Sequence, residues 1–449
     1  MRPLIMTSSG TRGIIGENLT PEIALKTAVA FATYIKTGTI IVGGDTRTSY
    51  DMLKNAVIAG ITSIGLNVID IGKVPTPTVQ QLIRYYNADG GVVITASHNP
   101  IIWNGLKLMS KSGSFLEPEE YEEFLQYYQG QQPIQYAAWD NVGKIQIDTQ
   151  ALAKHVDTVL SVLDVSSLKK RKLKVLIDPN NGAGAVANPI LLDKLNIDYE
   201  MINGEPNGIF EHNPEPLKKN LGTIIAKMKA GNYDIGFVQD ADADRLVILD
   251  EHGEFIGEDY SLGLCIEYIL AQEKSSSKEV VVNLSTSRVI DYLAKKYQAN
   301  LIHTKIGETN VTKALRARQA TVGGEGNGGV IYPKVGWGRD SLVGIVIALK
   351  YLAESGKTVS QIVANYPRYY MLREKFTVAN KEEIQPYLDK IEKQFCNEEI
   401  NKLDGIKIIY PDSWIHVRPS NTEPIIRIFI EAPTQAKAEE MLENLKGTN

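Results

Sequence analysis

At 449 residues, with 43% hydrophobic and 22% charged side chains, the chain is too long for one small core and too ordinary in composition for a disordered or membrane-spanning protein. A formal charge of −5, with Lys and Arg spread along the chain, argues against a nucleic-acid partner. The first residues reach Thr7, Ser8 and Ser9 too soon for a signal peptide, no later apolar run approaches membrane-spanning length, and Cys265 and Cys396 lack metal-type spacing, so a reducing cytoplasm is expected.

Short apolar runs ending in polar or glycine-rich residues alternate with helix-like stretches, the rhythm of parallel α/β units. Residues 39–42, 67–71 and 91–95 read as strands, with helices over the twenties and over 51–63. A polar stretch from Gln129 to Asp148 interrupts the pattern, which restarts with strands at 174–178, 234–238 and 246–249. Further strands are expected at 279–283 and 329–332, then a helix over 341–354. Past Pro367 the order changes to strand, helix, strand pair and helix, with strands at 406–409, 414–417 and 425–430, as in a small antiparallel α+β domain. The expected fold is α/β: three similar α/β domains with mixed sheets (1–148, 149–252, 253–366) and a C-terminal α+β domain (367–449). The three could be one unit repeated, although the residues themselves show no repeat.

Four loops carry chemistry. Asp240, Asp242 and Asp244 alternate between two apolar strands; on an extended chain they would project to one side, where their repulsion calls for a hard divalent cation. An EF-hand calcium loop is excluded because Arg245 stands where glycine is required and strands flank the segment. Ser97 follows a strand end, where α/β folds place ligands, with His98 and Lys107 as local activating groups; taken alone such a Ser-His pair is more often a capping loop than a catalytic one. The glycine-rich segment 323–329 offers Glu325 and Asn327 to sugar hydroxyls. Arg418, Ser420, Asn421, Thr422 and Arg427 describe a phosphate clasp, since a turn explains the small residues but not two arginines.

Together with Ser9-Gly10-Thr11-Arg12-Gly13, Gly44-Asp45-Thr46-Arg47 and Asn213-Pro214-Glu215-Pro216, these loops resemble the α-D-phosphohexomutase superfamily over essentially the whole chain, most closely its bacterial phosphoglucosamine mutases. The resemblance implies four domains around a central cleft and a mutase that interconverts hexose 6-phosphate and hexose 1-phosphate. It implies a phosphoserine at Ser97, one Mg2+ on Asp240, Asp242, Asp244 and an oxygen of that serine, and a hexose bisphosphate intermediate. Arg245 would neutralise the transferring group, and Arg12, His98 and Lys107 would complete the reaction centre. Glu325, Asn327 and Glu308 would read the sugar, while Arg418, Ser420, Asn421, Thr422 and Arg427 would grip the spectator phosphate. Two departures stand out: Asn327 and Gly329 replace a serine and a histidine, leaving proton transfer to Lys107, His98 or Glu308, and Gly44 stands where many members have arginine. The expected partner is a small sugar phosphate, with a homodimer left open. The alternatives are a phosphomannomutase/phosphoglucomutase or, from another class, a catalytically silent sugar-phosphate-binding protein.

Overall fold

Apolar β-branched runs separated by amphipathic stretches satisfy their backbone groups most economically as parallel strands with helical crossovers. The computed structural model describes residues 4–377, 380–419 and 425–446. In the first third, β1 (Ile5–Thr7), β2 (Gly10–Ile14), β3 (Thr39–Gly44), β4 (Asn67–Lys73), β5 (Gly90–Ile94), β6 (Trp103–Ser110) and β7 (Ile145–Ile147) form a seven-stranded sheet in the order β1-β2-β6-β5-β3-β4-β7. Strands β5, β3, β4 and β7 pair parallel, whereas β6 and β2 continue the sheet antiparallel. Helices Pro21–Ile35 and Tyr50–Ser63 pack on one face and Thr76–Tyr85 on the other. The first of these starts where it does because Thr20 accepts a hydrogen bond from Ile23 N and proline occupies its first turn.

The second sheet comprises β8 (Lys174–Asp178), β9 (Asp198–Met201), β10 (Ile235–Gln239) and β11 (Leu246–Leu249), in the order β11-β10-β8-β9. The third comprises β12 (Glu279–Asn283), β13 (Asn300–Thr304), β14 (Val322–Glu325) and β15 (Gly329–Ile331), in the order β15-β14-β12-β13. Both repeat the β6-β5-β3-β4 arrangement: three parallel strands, then one antiparallel strand reached through a hairpin. The repeat absent from the residues is therefore present in the topology. These two sheets share one apolar core through the buried helices Glu258–Gln272 and Ser341–Ser355.

The C-terminal sheet is wholly antiparallel, with β16 (Tyr370–Thr377), β17 (Glu399–Asn401), β18 (Ile406–Ile409), β19 (Trp414–Pro419) and β20 (Ile425–Ala432) in the order β16-β20-β19-β18-β17. Helices Ile384–Gln394 and Gln435–Lys446 supply the rest of its core. The architecture is thus four α/β units with mixed or antiparallel sheets, as expected. Strand β6 and helix Thr76–Tyr85 were not anticipated: Asn104 and Lys107 break the apolar pattern of β6, and Thr76, Gln80 and Gln81 that of the helix, yet all five are buried.

Candidate active site

The hairpin after β5 carries Ser97. Thr95 Oγ1 donates to Asp45 at 2.5 Å and accepts from Ser97 N at 2.8 Å, turning the chain so that Ser97 adopts a left-handed φ of 52°. Strain of this kind persists only where the surroundings fix it. Here Arg47 does so: its guanidinium reaches the carbonyls of Ser97 (2.7 Å), Asn99 (2.8 Å), Pro100 (2.9 Å) and Trp103 (2.9 Å) as well as Asp45 (3.2 Å). All five of its N–H donors are engaged. Gly44 has a local cause as well, because a Cβ there would lie 2.2 Å from the carbonyl oxygen of Ile94 on the neighbouring strand.

The corresponding hairpin between β10 and β11 carries the three aspartates. They do not lie on an extended chain, as the alternation implied; a tight turn closed by Ala243 N and Asp240 O at 3.0 Å, with Ala243 at φ 52°, gathers them instead. One carboxylate oxygen from each comes within 4.8 Å of the others, and all three residues are buried. Burial and the two neighbouring carboxylates push Asp240 well above the usual range. Burial would also raise Asp242, but Lys107 and the hydrogen bonds from Lys107 and Thr76 more than reverse that. Asp242 Oδ1 and Asp244 Oδ1 are buried with no hydrogen-bond partner. Oxygen-only donors, excess negative charge and two orphaned lone-pair sites together fit a small hard cation such as Mg2+. Ser97 Oγ donates to Asp240 Oδ2 at 3.2 Å, so the serine and the acidic turn form one site.

Lys107, on β6, is buried against Asp242 at 2.6 Å and Asp244 at 3.4 Å. Burial works against its charge, but the two aspartates prevail and its pKa is raised, which makes it a fixed cation. His98 Nδ1 lies 3.3 Å from Ser97 Oγ and 2.9 Å from Arg245 Nη2; desolvation, then Arg245 and Arg12, hold the imidazole well below its ordinary range. Arg12 reaches Asn99 at 3.1 Å. Arg245 lies 3.8 Å from both Asp240 and Asp244.

The third hairpin presents Glu325 at the end of β14 and Asn327 in the turn. Glu325 accepts from Asn283 (3.0 Å), Gly307 N (3.2 Å) and Arg339 (2.9 Å), while Asn327 Oδ1 is buried and unpartnered. Arg339 is the residue that sequence reasoning missed. Its buried guanidinium joins Asp244 (2.7 Å), Glu308 (2.9 Å) and Glu325 (2.9 Å), tying the acidic turn to the third hairpin. Its aliphatic stem also explains Gly329, where a Cβ would lie 2.2 Å from Arg339 Cδ. The signal was present as an unassigned Arg-Asp pair before an apolar helix: Asp340 caps Ser341–Ser355, which fixes the arginine beside it. Burial raises the Glu308 carboxyl to about 6, against the opposing charge of Arg339.

In the C-terminal sheet Arg418 and Arg427 sit directly opposite each other on β19 and β20. Asp404 Oδ2 lies 3.5 Å from Arg418 Nε and accepts Ile306 N at 2.9 Å, which links this pair to the chain leading into Glu308. Like charges directly opposite on a sheet oppose folding, a cost that Asp404 offsets in part and that an anionic ligand would offset further. Ser420, Asn421 and Thr422 lie outside the described residues. The arrangement as a whole offers a nucleophilic oxygen, an acidic cation site and fixed positive charges on separate elements, the parts that phosphoryl transfer requires.

The sequence matches four consecutive families described as phosphoglucomutase/phosphomannomutase: alpha/beta/alpha domain I over residues 4–133, domain II over 153–253, domain III over 257–369 and the C-terminal domain over 374–447. It is 38% identical over 442 residues to a phosphoglucomutase/phosphomannomutase of Thermococcus kodakarensis, covering 97% of this chain and 96% of that one. It is 36% identical over 438 residues to a protein of Methanopyrus kandleri named "Probable phosphoglucosamine mutase", covering 97% and 95%. A crystal structure of a phosphoglucomutase/phosphomannomutase family protein from Burkholderia thailandensis shares the fold with a TM-score of 0.86 at 23% identity, covering 99% of this chain and 97% of that one. This chain belongs to the phosphoglucomutase/phosphomannomutase family of α-D-phosphohexomutases.

Proposed function

We propose that this protein interconverts glucosamine 6-phosphate and glucosamine 1-phosphate through a phosphoserine at Ser97 and a bisphosphate intermediate, in the cytoplasm. The observation that carries the reading is the contact of Ser97 Oγ with Asp240, inside a buried acidic turn, in a chain of this family. The bond between phosphorus and Ser97 Oγ breaks as one forms to the free sugar hydroxyl, whose proton ends on the serine. After the bisphosphate turns over, the other phosphoryl group passes to Ser97 and its sugar oxygen regains a proton.

Asp240, Asp242 and Asp244 would hold Mg2+, which when bound neutralises charge on the transferring phosphoryl oxygens. Lys107, Arg245 and Arg12 supply fixed positive charge at the same place. Lys107 is already locked to Asp242 and Asp244, which leaves His98 and Glu308 as the proton carriers; Glu308, at about 6, can change state near neutral pH. Glu325 and Asn327 face the sugar, and the unpartnered Asn327 Oδ1 supports that role. Arg418 and Arg427, with Ser420, Asn421 and Thr422, bind the phosphate that is not reacting. We place the domain boundaries near residues 148, 252 and 366, so that each of the first three domains brings one hairpin to the site.

A phosphomannomutase/phosphoglucomutase activity is the second reading, favoured by the name of the Thermococcus kodakarensis relative. Parallel assays of glucosamine, glucose and mannose 6-phosphates, each with and without a chelator, decide between them. The proposal expects the highest kcat/KM for the glucosamine compound and loss of all activity on chelation; a preference for mannose or glucose phosphate selects the second reading.

A further inference from the structure

Successive side chains of a strand point to opposite faces of its sheet. On β19, Ile415 and Val417 enter the core beneath helices Ile384–Gln394 and Gln435–Lys446, which turns Trp414, His416 and Arg418 to the other face. That face is buried against the loop that follows β12, where Lys407 Nζ donates to Leu284 O at 2.7 Å and Arg288 N to Glu431 Oε2 at 2.9 Å. His416 sits within it, fully buried. Its Nε2 lies 2.6 Å from the carbonyl oxygen of Asp404 and its Nδ1 2.8 Å from Ser285 Oγ. A carbonyl oxygen only accepts, so Nε2 carries the proton. Burial outweighs the bond to Asp404 and holds the imidazole down to about 4, so at neutral pH Nδ1 is bare and accepts from the Ser285 hydroxyl.

These two bonds close a circuit. Ser285 N donates to Asn283 Oδ1 at 3.0 Å, and Asn283 Nδ2 to Glu325 Oε1 at 3.0 Å. On the other side the successive amides of Ile306 and Gly307 donate to Asp404 Oδ2 (2.9 Å) and to Glu325 Oε1 (3.2 Å). Asp404, which faces Arg418 Nε at 3.5 Å, is thus tied to Glu325 by two routes, and His416 is the member that β19 contributes.

We propose that His416 is a positioning residue for the reaction: it fixes Asp404, and through it Arg418, at a set distance from Glu325, so that the grips on the spectator phosphate and on the sugar are made as one. This role rests on the assignment of Arg418 and Glu325 under the proposed function. A pyranose carries its phosphate and its ring hydroxyls at a nearly set span, so contacts at the two ends reinforce each other only when their own spacing is held beforehand. Packing alone would ask less of the position, since any ring of this size could lie beside Phe429, whose centroid is 6.5 Å away.

Two substitutions separate these roles. His416→Phe keeps a ring against Phe429 and loses both hydrogen bonds, whereas His416→Gln keeps an acceptor and a donor and loses the ring. Steady-state kinetics are read with whichever hexose 6-phosphate the parallel assays select, so the sugar's identity does not enter the outcome. His416→Phe should raise KM by about tenfold, on the order of what a broken buried hydrogen bond costs, and lower kcat with it. His416→Gln should recover most of both losses. Should His416→Phe fail to fold, Ser285→Ala, which removes one hydroxyl from the circuit, should move KM in the same direction. Wild-type kinetics in His416→Phe or in Ser285→Ala, or a loss in His416→Gln as large as that in His416→Phe, would overturn the positioning role while leaving the clasp standing. A wild-type KM in Arg418→Ala would overturn the clasp itself, and the positioning role with it.

Discussion

Ser97 and Arg339 show how single residues carry the site. Replacing Ser97 by Ala removes one oxygen from a loop whose conformation is held by Arg47 and Thr95, so the fold should survive while turnover falls by at least about a thousandfold, on the order of what loss of a covalent nucleophile costs. Activity assays beside circular dichroism check both halves, and intact mass should show phosphate on the wild type only. Arg339→Lys is chemically conservative but geometrically severe. A point charge cannot span Asp244, Glu308 and Glu325, and the loss of compensation at these buried carboxylates should cost about 3–5 kcal/mol in denaturant unfolding. Spacing exposed the aspartates because alternating like charge is unusual between apolar strands, whereas Ser97 gained weight only from the company of the other loops and the family they resemble. Neither signal could expose Arg339, whose partners come from three separate segments of the chain.

At the scale of elements, the candidate site residues sit on equivalent turns: each joins the last parallel strand of an α/β sheet to its antiparallel neighbour. The strands were legible from their apolar runs, but β6 and helix Thr76–Tyr85 were hidden because polar groups aimed at the site or at interdomain contacts interrupt their pattern. In the fourth unit the opposed arginines of β19 and β20 predict a phosphate-dependent element. Loss of a charged contact from a partly desolvated site costs roughly 2–5 kcal/mol, so Arg418→Ala should raise KM strongly and lower kcat in steady-state kinetics while phosphorylation of Ser97 persists. Asp259, at the start of helix Glu258–Gln272, accepts Ser287 N at 2.8 Å beneath the third hairpin, and burial pushes its carboxyl up from 3.8 to about 8. The folded state therefore holds a proton that the unfolded state releases, so the contribution to stability is full below pH 4 and is lost as pH rises to about 8. At about 1.4 kcal/mol per pH unit, the wild type should lose on the order of 5 kcal/mol relative to Asp259→Asn across that window. Denaturant unfolding of both proteins at several pH values reads the difference directly.

For the whole molecule, the repeated topology explains why one chain can surround a substrate that must react at both ends. Equivalent hairpins bring Ser97, the three aspartates and Glu325 together from three copies of one arrangement, and a different unit adds the opposed arginines; under the proposed function these would be nucleophile, cation site, sugar reader and phosphate clasp. No helix among the described residues is long and apolar enough to cross a membrane. The order of motifs along the chain made the architecture legible, whereas the repeat was invisible because only backbone pairing, not residue identity, is shared between the sheets. In the proposed reaction Ser97 gives its phosphoryl group to the sugar and takes one back. Protein carrying radiolabelled phosphate on Ser97, mixed with unlabelled glucosamine 6-phosphate, should lose label first to a hexose bisphosphate and then to hexose monophosphate, while the serine becomes rephosphorylated without label. Label that stays on the protein during turnover, or leaves as inorganic phosphate, would contradict it.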